Sequence, residues 1–251
     1  MIDTLTRDAF LGGKLHLWQP KTGYRAGVDP VLLAASVDAK PGQSVLDLGC
    51  GVGAAMLCLG ARVSGVAPTG LELQPDYADL ARRNSSETGI DAEVVTGDLA
   101  DMPTNLRQRR FDHVIANPPY FDRNASTAAN DTGRETALGE ATPLADWVKV
   151  AAKRCAPQGY VHLIHRAERL PDLLAAMTGR LGSIEVLPLI ARPGRTARLV
   201  LIRARMGGRA DFQLHHGIIL HDGAAHDGDR ENYSKAITCV LRDGTALPFP
   251  T

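Results

Sequence analysis

The residues with the clearest chemical potential are Asn117-Pro118-Pro119-Tyr120, which follow a β-rich run at 111–116. Each proline fixes φ and lacks a donor, and a residue before proline is pushed to extended conformations, so the sequence predicts a stiff loop at a strand end. In such a loop the side-chain amide of Asn117 and the carbonyl of Pro118 can grip a planar NH2 group, with the ring of Tyr120 beside it. Alone, the pattern fits a rigid turn equally well, because short motifs carry false positives.

The elements that must position this loop alternate along the middle of the chain. Strands are predicted at residues 44–48, 69–73, 92–96, 111–116, 160–164, 184–190 and 197–203, and helices near 54–61, 75–87, 143–155 and 167–179. Such alternation predicts an α/β fold with a doubly wound, mostly parallel seven-stranded sheet and a site at the carboxyl ends of its strands. The last two strands are separated only by the turn 192–195, which favours an antiparallel C-terminal hairpin.

A second group of residues can hold a cofactor. Asp47 precedes a glycine loop containing Gly49, Gly51 and Gly53, and glycines let the backbone approach a ligand closely. An acid beside this loop would repel a pyrophosphate but suits a ligand that carries an ammonium group.

Two further acids follow the next two strands. Glu72, with Leu73 beside it, is placed to accept both hydroxyls of a ribose, and Asp98, with Leu99 beside it, can accept from the amino group of an adenine. Glu72 could instead be a surface acid, and Gly97-Asp98 is also ordinary turn chemistry. An acid-rich pocket with an adenosine grip and no phosphate grip indicates S-adenosylmethionine.

In this order the glycine loop 47–53, Glu72, Asp98 and the loop 117–120 resemble the Rossmann-like class I S-adenosylmethionine-dependent methyltransferases. The Asn-Pro-Pro-Tyr signature is similar to that of the amino-methylating subgroup, which acts on adenine N6, guanine N2 or glutamine amides. Residues 19–34 resemble the N-terminal segment of the bacterial tRNA (adenine-N6)-methyltransferases. The whole resemblance covers residues 15 to about 205. It implies an RNA substrate, namely a tRNA that is modified near the anticodon. It also implies that this segment caps the methionine end of the cofactor through Tyr24, Arg25, Gly27 and Asp29. Asp29 could instead cap a helix that begins at Pro30.

The catalytic role expected for Asn117, Pro118, Pro119 and Tyr120 follows from the chemistry of an exocyclic amine. Its lone pair is delocalised, and acceptance of its two N–H bonds by Asn117 and Pro118 would direct that lone pair at the methyl group without a general base. Tyr120 or Phe121 would stack on the target base. That base must lie in a single strand, a loop or a flipped position.

Substrate phosphates require basic side chains. The segment 186–209 holds six arginines and no acid, and Arg192 and Arg195 in its turn are candidates. Family members often carry a basic, histidine-containing patch after the catalytic loop, whereas this chain offers only Arg123 and Arg134 there. The polar loop 122–140 is either a lid or a plain insertion.

Composition sets the remaining expectations. The chain has 251 residues and no net charge, which suits one α/β domain: a cap segment at 1–40, a methyltransferase domain at 41–206 and a C-terminal extension at 207–251.

No apolar run could span a bilayer and the start is unlike a signal peptide, so the cytoplasm is expected. Four cysteines form no C-x-x-C pair, and the spacing of His215, His216, His221 and His226 matches no compact zinc pattern, so no metal is expected. The oligomeric state stays open.

Other activities share parts of this pattern. A protein (glutamine-N5) methyltransferase acting on release factors has the same loop but usually a longer helical domain before the glycine loop than the 44 residues that precede Val45. An rRNA guanine-N2 methyltransferase remains an alternative, and a DNA enzyme lacks room for a target-recognition domain. A dehydrogenase is disfavoured by the glycine spacing and Asp47. A catalytically inactive nucleotide-binding scaffold would have no use for the loop 117–120.

Overall fold

The computed structural model describes residues 4–122, 139–140, 142–223 and 232–250, with the backbone alone at 121–122 and 139–140. The strands are β1 Leu5–Phe10, β2 Leu15–Pro20, β3 Ser44–Leu48, β4 Ala67–Glu72, β5 Glu93–Thr96, β6 Phe111–Ala116, β7 Phe121–Asp122, β8 Gly139–Glu140, β9 Cys155–Arg166, β10 Gly182–Ile190, β11 Leu199–Arg205, β12 Gln213–Leu214 and β13 Ile218–Ile219. The α-helices are α1 Asp29–Ser36, α2 Ala54–Arg62, α3 Pro75–Thr88, α4 Thr104–Arg107, α5 Leu144–Arg154, α6 Leu170–Met177 and α7 Lys235–Thr238. Among the described residues, no helix is long and apolar enough to cross a membrane.

The central sheet has the order β12-β10-β11-β9-β6-β3-β4-β5, with β13 also paired to β10. The strands β3, β4, β5, β6 and β9 pair in parallel, and β11 is antiparallel to both β9 and β10. The predicted antiparallel hairpin is therefore confirmed as β10–β11. The seven predicted strands are all present, and the sheet is wider than predicted because two short strands of the C-terminal extension, β12 and β13, add to its outer edge.

Helices cover both faces of this sheet, as doubly wound folds require. One core includes side chains of α1 and α2 packed on Val45, Ile115 and Leu201. The other includes side chains of α5 and α6 packed on Leu46 and Val161. Because successive strand residues face opposite sides, the neighbours Val45 and Leu46 belong to different cores. These two apolar layers fix the strand ends from which the site is built.

The N-terminal segment forms a hairpin that the sequence patterns did not predict. β1 and β2 pair antiparallel from Leu5↔Pro20 to Phe10↔Leu15. Leu15 and Leu17 are buried, whereas His16 between them is exposed, which is the alternation of a half-buried strand. The hairpin is tied to α3, because Asn84 Oδ1 accepts from the backbone N–H of Trp18 at 2.7 Å. It also holds the segment 24–29, since Gln19 Oε1 accepts from Ala26 N at 2.7 Å.

The C-terminal extension completes the fold around β10. His215 N donates to Val186 O at 2.9 Å and Leu220 N donates to Ile190 O at 2.8 Å, so the extension runs along the sheet edge. Phe249 near the chain end is 3% exposed, and the guanidinium carbon of Arg203 lies 4.7 Å from its ring centroid. The described part of residues 207–251 is thus packed on the domain.

Candidate active site

A cavity of about 450 Å³ lies at the carboxyl ends of β3, β4, β5 and β6. This volume is in the range of small-molecule sites. Nearly all the predicted catalytic and cofactor residues line it: Tyr24, Arg25, Gly27, Asp29, Asp47, Gly49, Gly51, Glu72, Leu73, Asp98, Leu99, Asn117, Pro118, Pro119 and Tyr120. Gly53 is the exception among them. It precedes α2 at φ +86°, and a Cβ there would lie 2.9 Å from Met56 Cε, so it shapes the start of the helix.

The glycine loop uses its own backbone donors internally. The N–H groups of Gly49 and Cys50 both donate to Leu71 O, at 2.8 and 3.0 Å. The next amide, that of Gly51, donates to Glu72 Oε2 at 2.9 Å. A phosphate-binding loop presents such amides to its ligand. Here three consecutive amides are occupied, which agrees with a ligand that has no phosphate.

Two buried acids make this part of the cavity suited to a cation. Asp47 is 2% exposed and accepts from Met56 N at 3.2 Å. Burial raises the pKa of its carboxyl to about 8, and the charge of Glu72 adds to the shift. Burial also raises the pKa of Glu72, even though backbone N–H groups of Gln74 and Gly51 stabilise its ionised form. A positively charged ligand would favour ionisation of both acids.

The next part of the cavity combines an acid with apolar surface. Asp98 is exposed, and its Oδ1 accepts from Ala100 N at 2.8 Å, so the turn expected at Gly97-Asp98 is present. Leu73 lines the cavity although 54% of its surface is exposed, and Leu99 lines it as a buried side chain. An exposed leucine at a cavity wall offers an apolar surface to a flat ring. Asp98 forms the turn and also lines the cavity, so the turn and a cofactor role for Asp98 are compatible.

Asn117 presents an acceptor with no partner. Its Nδ2 donates to Tyr24 Oη at 3.3 Å. Its Oδ1 is buried and has no hydrogen-bond partner among the described residues. Tyr24 is itself fixed, because its N–H donates to Tyr77 Oη at 3.0 Å and the same hydroxyl donates to Tyr24 O at 3.1 Å. Burying a carbonyl oxygen without a partner is costly, so this oxygen indicates a site for a donor.

Tyr120 is held from two sides. Its hydroxyl donates to Asp29 Oδ2 at 2.6 Å, and the ring of His165 meets its ring edge-on with centroids 5.2 Å apart. Helix α1 begins at Asp29 with Val28 as the N-cap and no side-chain cap, so the capping interpretation of Asp29 is wrong. The carboxylate instead fixes the loop 117–120. Burial raises the pKa of Asp29, and the Tyr120 hydrogen bond opposes that rise.

Arg25 braces the N-terminal segment. Its Nη2 lies 2.6 Å from Asp8 Oδ2, and its Nη1 donates to Thr6 Oγ1 at 2.8 Å and to Pro20 O at 2.7 Å. The guanidinium is thus engaged by the β1–β2 hairpin while the residue also lines the cavity. These contacts explain how residues 24–29 are kept beside the glycine loop.

Two aromatic residues of the site, Tyr77 and Trp147, were not among the predicted site residues. Tyr77 falls in the helix predicted near 75–87, and in the structure it lines the cavity and holds Tyr24. Trp147 of α5 also lines the cavity, and a Cβ at Gly49 would lie 2.6 Å from its Cη2. Trp147 Nε1 is buried without a partner among the described residues. No local pattern distinguishes Trp147 from a core residue.

The predicted phosphate contacts are only partly described. Arg123, Arg134 and most of the loop 122–140 lie outside the described residues, as does the side chain of Phe121. The guanidinium of Arg192 donates to Asp222 O at 2.6 Å, to Gly223 O at 3.3 Å and to Asn232 Oδ1 at 3.1 Å, so it holds the C-terminal extension. Arg195 is exposed at the turn.

The histidines of the C-terminal extension make other contacts. His215 Nε2 lies 3.0 Å from Glu185 Oε2, and His221 stacks on Tyr233 with centroids 4.5 Å apart. His226 lies outside the described residues. Within the described part of the chain, no group of three or more His, Cys, Asp or Glu side chains is arranged to hold a metal ion.

Relatives of known name share most of this chain. The family model of the methyltransferase small domain matches residues 26–135. A Porphyromonas gingivalis protein named tRNA1(Val) (adenine(37)-N6)-methyltransferase is 32% identical over 204 residues, which cover 77% of this chain and 79% of that protein. An Actinobacillus succinogenes protein of the same name is 30% identical over 78% of this chain and 82% of its own length.

Solved structures share the fold. An Agrobacterium tumefaciens protein described as a predicted O-methyltransferase superposes with a TM-score of 0.71 at 25% identity, over 89% of this chain and 100% of its own. The T. thermophilus 16S rRNA N2 methyltransferase, solved with AdoMet and guanosine, gives a TM-score of 0.57 at 19% identity, over 80% of this chain and 50% of its own.

The residues that line the cavity fit AdoMet, with which the T. thermophilus enzyme was solved. The acids of the cavity suit an amino group and hydroxyls, its glycine-loop amides are closed to phosphate, and its volume suits a nucleoside-sized ligand. The cofactor is S-adenosylmethionine. The chain belongs to the family of the tRNA1(Val) (adenine(37)-N6)-methyltransferases, and it is an S-adenosylmethionine-dependent enzyme of the methyltransferase small domain type.

Proposed function

We propose that this enzyme methylates the exocyclic N6 amine of an adenine in RNA, in a tRNA near the anticodon, within the cytoplasm. The names of the P. gingivalis and A. succinogenes relatives support this substrate. The observation that carries the proposal is the buried Oδ1 of Asn117, which has no partner among the described residues and belongs to a residue that lines the cavity. An amine N–H is the donor that such an oxygen lacks.

Asn117 and Pro118 activate the amine by position. The side-chain oxygen of Asn117 and the carbonyl of Pro118 accept its two N–H bonds, so its lone pair is turned away from the base ring and into the cavity. S-adenosylmethionine supplies an electrophilic methyl group on its sulfonium. Fixing the nucleophile in this orientation lowers the barrier by several kcal/mol, on the order of what oriented reactants gain. The attacking nitrogen becomes acidic as it bonds to carbon, so its proton is lost without a strong base.

Asp47, Glu72 and Asp98 hold the cofactor in this proposal. Asp47 and Glu72 lie at the ends of β3 and β4, beside the glycine loop, and their burial strengthens attraction to a cationic ligand. Asp98 and Leu73 provide an acceptor and an apolar surface for the adenine ring. Tyr24, Gly27 and Asp29 close the cavity from the N-terminal segment.

Tyr120 receives the target base. Its ring is fixed by Asp29 and His165, so little conformational entropy is lost when a base stacks on it. Stacking on an aromatic side chain contributes about 1–3 kcal/mol per base. A base inside a duplex could not reach this ring, whereas a base in an anticodon loop is already unpaired. Phe121 stays the alternative stacking residue, and Arg123, Arg134 and Arg195 stay candidates for contacts with RNA phosphates. The guanidinium of Arg192, the other candidate, is engaged by the C-terminal extension.

Transfer of labelled methyl groups from the cofactor into RNA, DNA and protein fractions tests this proposal. We expect label in RNA, and nuclease digestion should release it as N6-methyladenosine. Label in protein would instead support a glutamine methyltransferase, and N2-methylguanosine would support the guanine-N2 alternative. Either result would contradict the proposed substrate while leaving the cofactor assignment intact.

A further inference from the structure

The carboxyl edge of the central sheet is divided by charge. On the side of β3, β4 and β5 the strand ends, the loops after them and the first turn of α3 carry acids: Asp47, Glu72, Asp76, Asp98 and Asp101. On the side of β9, β10 and β11 the same edge carries arginines: Arg166, Arg169, Arg192, Arg195 and Arg198. The catalytic loop after β6 lies at the boundary, because β6 stands between β3 and β9. A polyanion that reaches Tyr120 is attracted from one side only.

Three of these residues, Arg166, Arg195 and Arg198, form what we call the arginine rim. Arg166 ends β9, and its guanidinium carbon lies 5.9 Å from the ring centroid of Tyr120. Its register partner on β11 is Leu199, and Ala167 N donates to Arg198 O at 2.9 Å, so Arg198 lies next to the end of β9. Arg195 follows in the turn between β10 and β11. The rim therefore runs from the target-base position after β6 outward across β9, β11 and β10. The three strand spacings from β6 to β10 amount to about 14 Å.

Of the five arginines at this edge, three pair with an acid or bind the C-terminal extension, and two do neither. Arg166 pairs with Glu168 at 3.1 Å, Arg169 pairs with Asp172 at 2.8 Å, and Arg192 is engaged by the C-terminal extension. Arg195 and Arg198 are both exposed, and within the described ranges neither guanidinium has a carboxylate at ion-pair distance. The outer part of the rim thus keeps its charge available for a phosphate, which a guanidinium binds with paired N–H donors.

We propose that the RNA strand carrying the target base lays its phosphates along the arginine rim, over the ends of β9, β11 and β10, and away from β4 and β5. This inference rests on the proposed function, since it takes RNA as the substrate. It adds a direction of approach and names Arg198 as an RNA contact, with Arg166, held by Glu168, at the inner end of the rim. Guanidinium–phosphate pairs carry no sequence information, so the rim orients the strand while the cavity selects the base.

A second basic group provides a matched control. Arg107, Arg110 and Arg154 lie at the opposite, amino end of the sheet, where Arg110 Nη1 donates to Cys155 O at 3.1 Å. The six residues of β6 separate the two ends by about 20 Å. Arg107 is exposed, as Arg195 and Arg198 are. Its substitution changes the net charge equally but leaves the rim intact.

The test compares Arg195→Gln and Arg198→Gln with Arg107→Gln, and the double variant Arg195→Glu/Arg198→Glu with Arg107→Glu/Arg110→Glu, which changes the net charge by the same amount at the opposite end. Binding of unmodified bulk tRNA is measured by fluorescence anisotropy against salt, and methylation is measured on the same RNA. Each single rim variant should lower the slope of log K against log salt by about 0.7–0.9, the value for one phosphate contact. The double variant should raise KM for RNA about tenfold or more, with the cofactor Kd and kcat at saturating RNA unchanged.

Two failures are distinguishable. If the wild-type enzyme neither binds nor methylates RNA, the proposed function and this inference both fail. If it methylates RNA but the rim variants behave like Arg107→Gln in both salt slope and KM, only the path of the RNA is overturned. Equal losses in the rim and control variants would mean that overall charge, and not this surface, attracts the RNA. Thermal melting of each variant verifies that the exposed substitutions leave the fold intact.

Discussion

Replacing Tyr24 by Phe tests how the side-chain amide of Asn117, the group proposed to hold the amine, is positioned. The Tyr24 hydroxyl is the partner of Asn117 Nδ2, at 3.3 Å, and this hydrogen bond leaves Oδ1 as the atom available to the substrate. Phenylalanine keeps the ring that lines the cavity and removes only that hydroxyl. Asn117 then loses the hydrogen bond that holds its Nδ2, so its amide is less firmly positioned and a fraction of molecules will not present Oδ1 to the amine.

The expected size of the effect follows from the one hydrogen bond that Tyr24→Phe removes. A neutral hydrogen bond contributes about 0.5–1.5 kcal/mol, which corresponds to a fall in kcat of roughly 2- to 13-fold. The ring packing and the anchor of the Tyr24 backbone on Tyr77 remain, so the cofactor Kd should stay unchanged. In a cycle with Asn117→Ala, the effect of Tyr24→Phe should disappear, because a residue that acts through Asn117 has nothing left to orient.

Single-turnover methyl transfer and cofactor titration on the same preparations provide the assay. Tyr160→Phe is the matched control, since Tyr160 is a partly buried tyrosine on β9 that does not line the cavity. It should leave both quantities unchanged. A raised cofactor Kd with a normal single-turnover rate for Tyr24→Phe would contradict this role, because the hydroxyl would then bind the cofactor and not the catalytic amide.

Two further predictions concern the glycine loop. Gly49→Ala should destabilise the protein by about 2–4 kcal/mol, because φ is +66° and the new Cβ would lie 2.6 Å from Trp147 Cη2. The control is Gly179→Ala, at φ +75° with nothing within 4 Å of the new Cβ, which should show the backbone strain alone. Equal losses of stability in denaturant melts would show that the contact with Trp147 adds nothing. Burial raises the pKa of Asp47 from 3.8 to about 8, so between these two pH values the unfolded chain binds fewer protons than the folded one. The ligand-free protein should therefore lose stability as pH rises within this range, for example from about 6.5 to 8. Asp47→Asn should reduce that slope in thermal melts, and an unchanged slope would show that Asp47 is ionised at neutral pH.

The order of the central elements was predictable because strand and helix patterns are local. The runs at 44–48 and 111–116 and the glycine loop between strand and helix carry their own signals of period and turn chemistry. The β1–β2 hairpin was not predicted, because the alternation Leu15-His16-Leu17 spans only three residues. A two-residue strand such as β12 or β13 is too short to have a period at all.

Site residues could be predicted where their position at a strand end locates them. They could not be predicted where contacts between distant parts of the chain decide which residues meet. The acids at strand ends and the loop 117–120 could be located from spacing, because strand ends converge at one edge of a parallel sheet. The Asn117–Tyr24 contact joins residues 93 positions apart, and the Tyr120–Asp29 bond joins residues 91 apart. Such pairs follow from tertiary packing. The capping interpretation of Asp29 was wrong for this reason, since its local context does not include Tyr120.

The role of Asn117 is tested most directly by the rate of methyl transfer to RNA by Asn117→Ala, measured beside its cofactor Kd. The variant removes the unpartnered oxygen, and Asn105→Ala on the exposed surface of α4 is the control. Removal of one preorganised polar group that touches a reacting atom typically lowers kcat about 10²- to 10³-fold. We expect a decrease of that order with the cofactor Kd unchanged and the control fully active. A near-normal rate would contradict the role of Asn117 in holding the amine, and a decrease explained wholly by weaker cofactor binding would assign Asn117 to the cofactor.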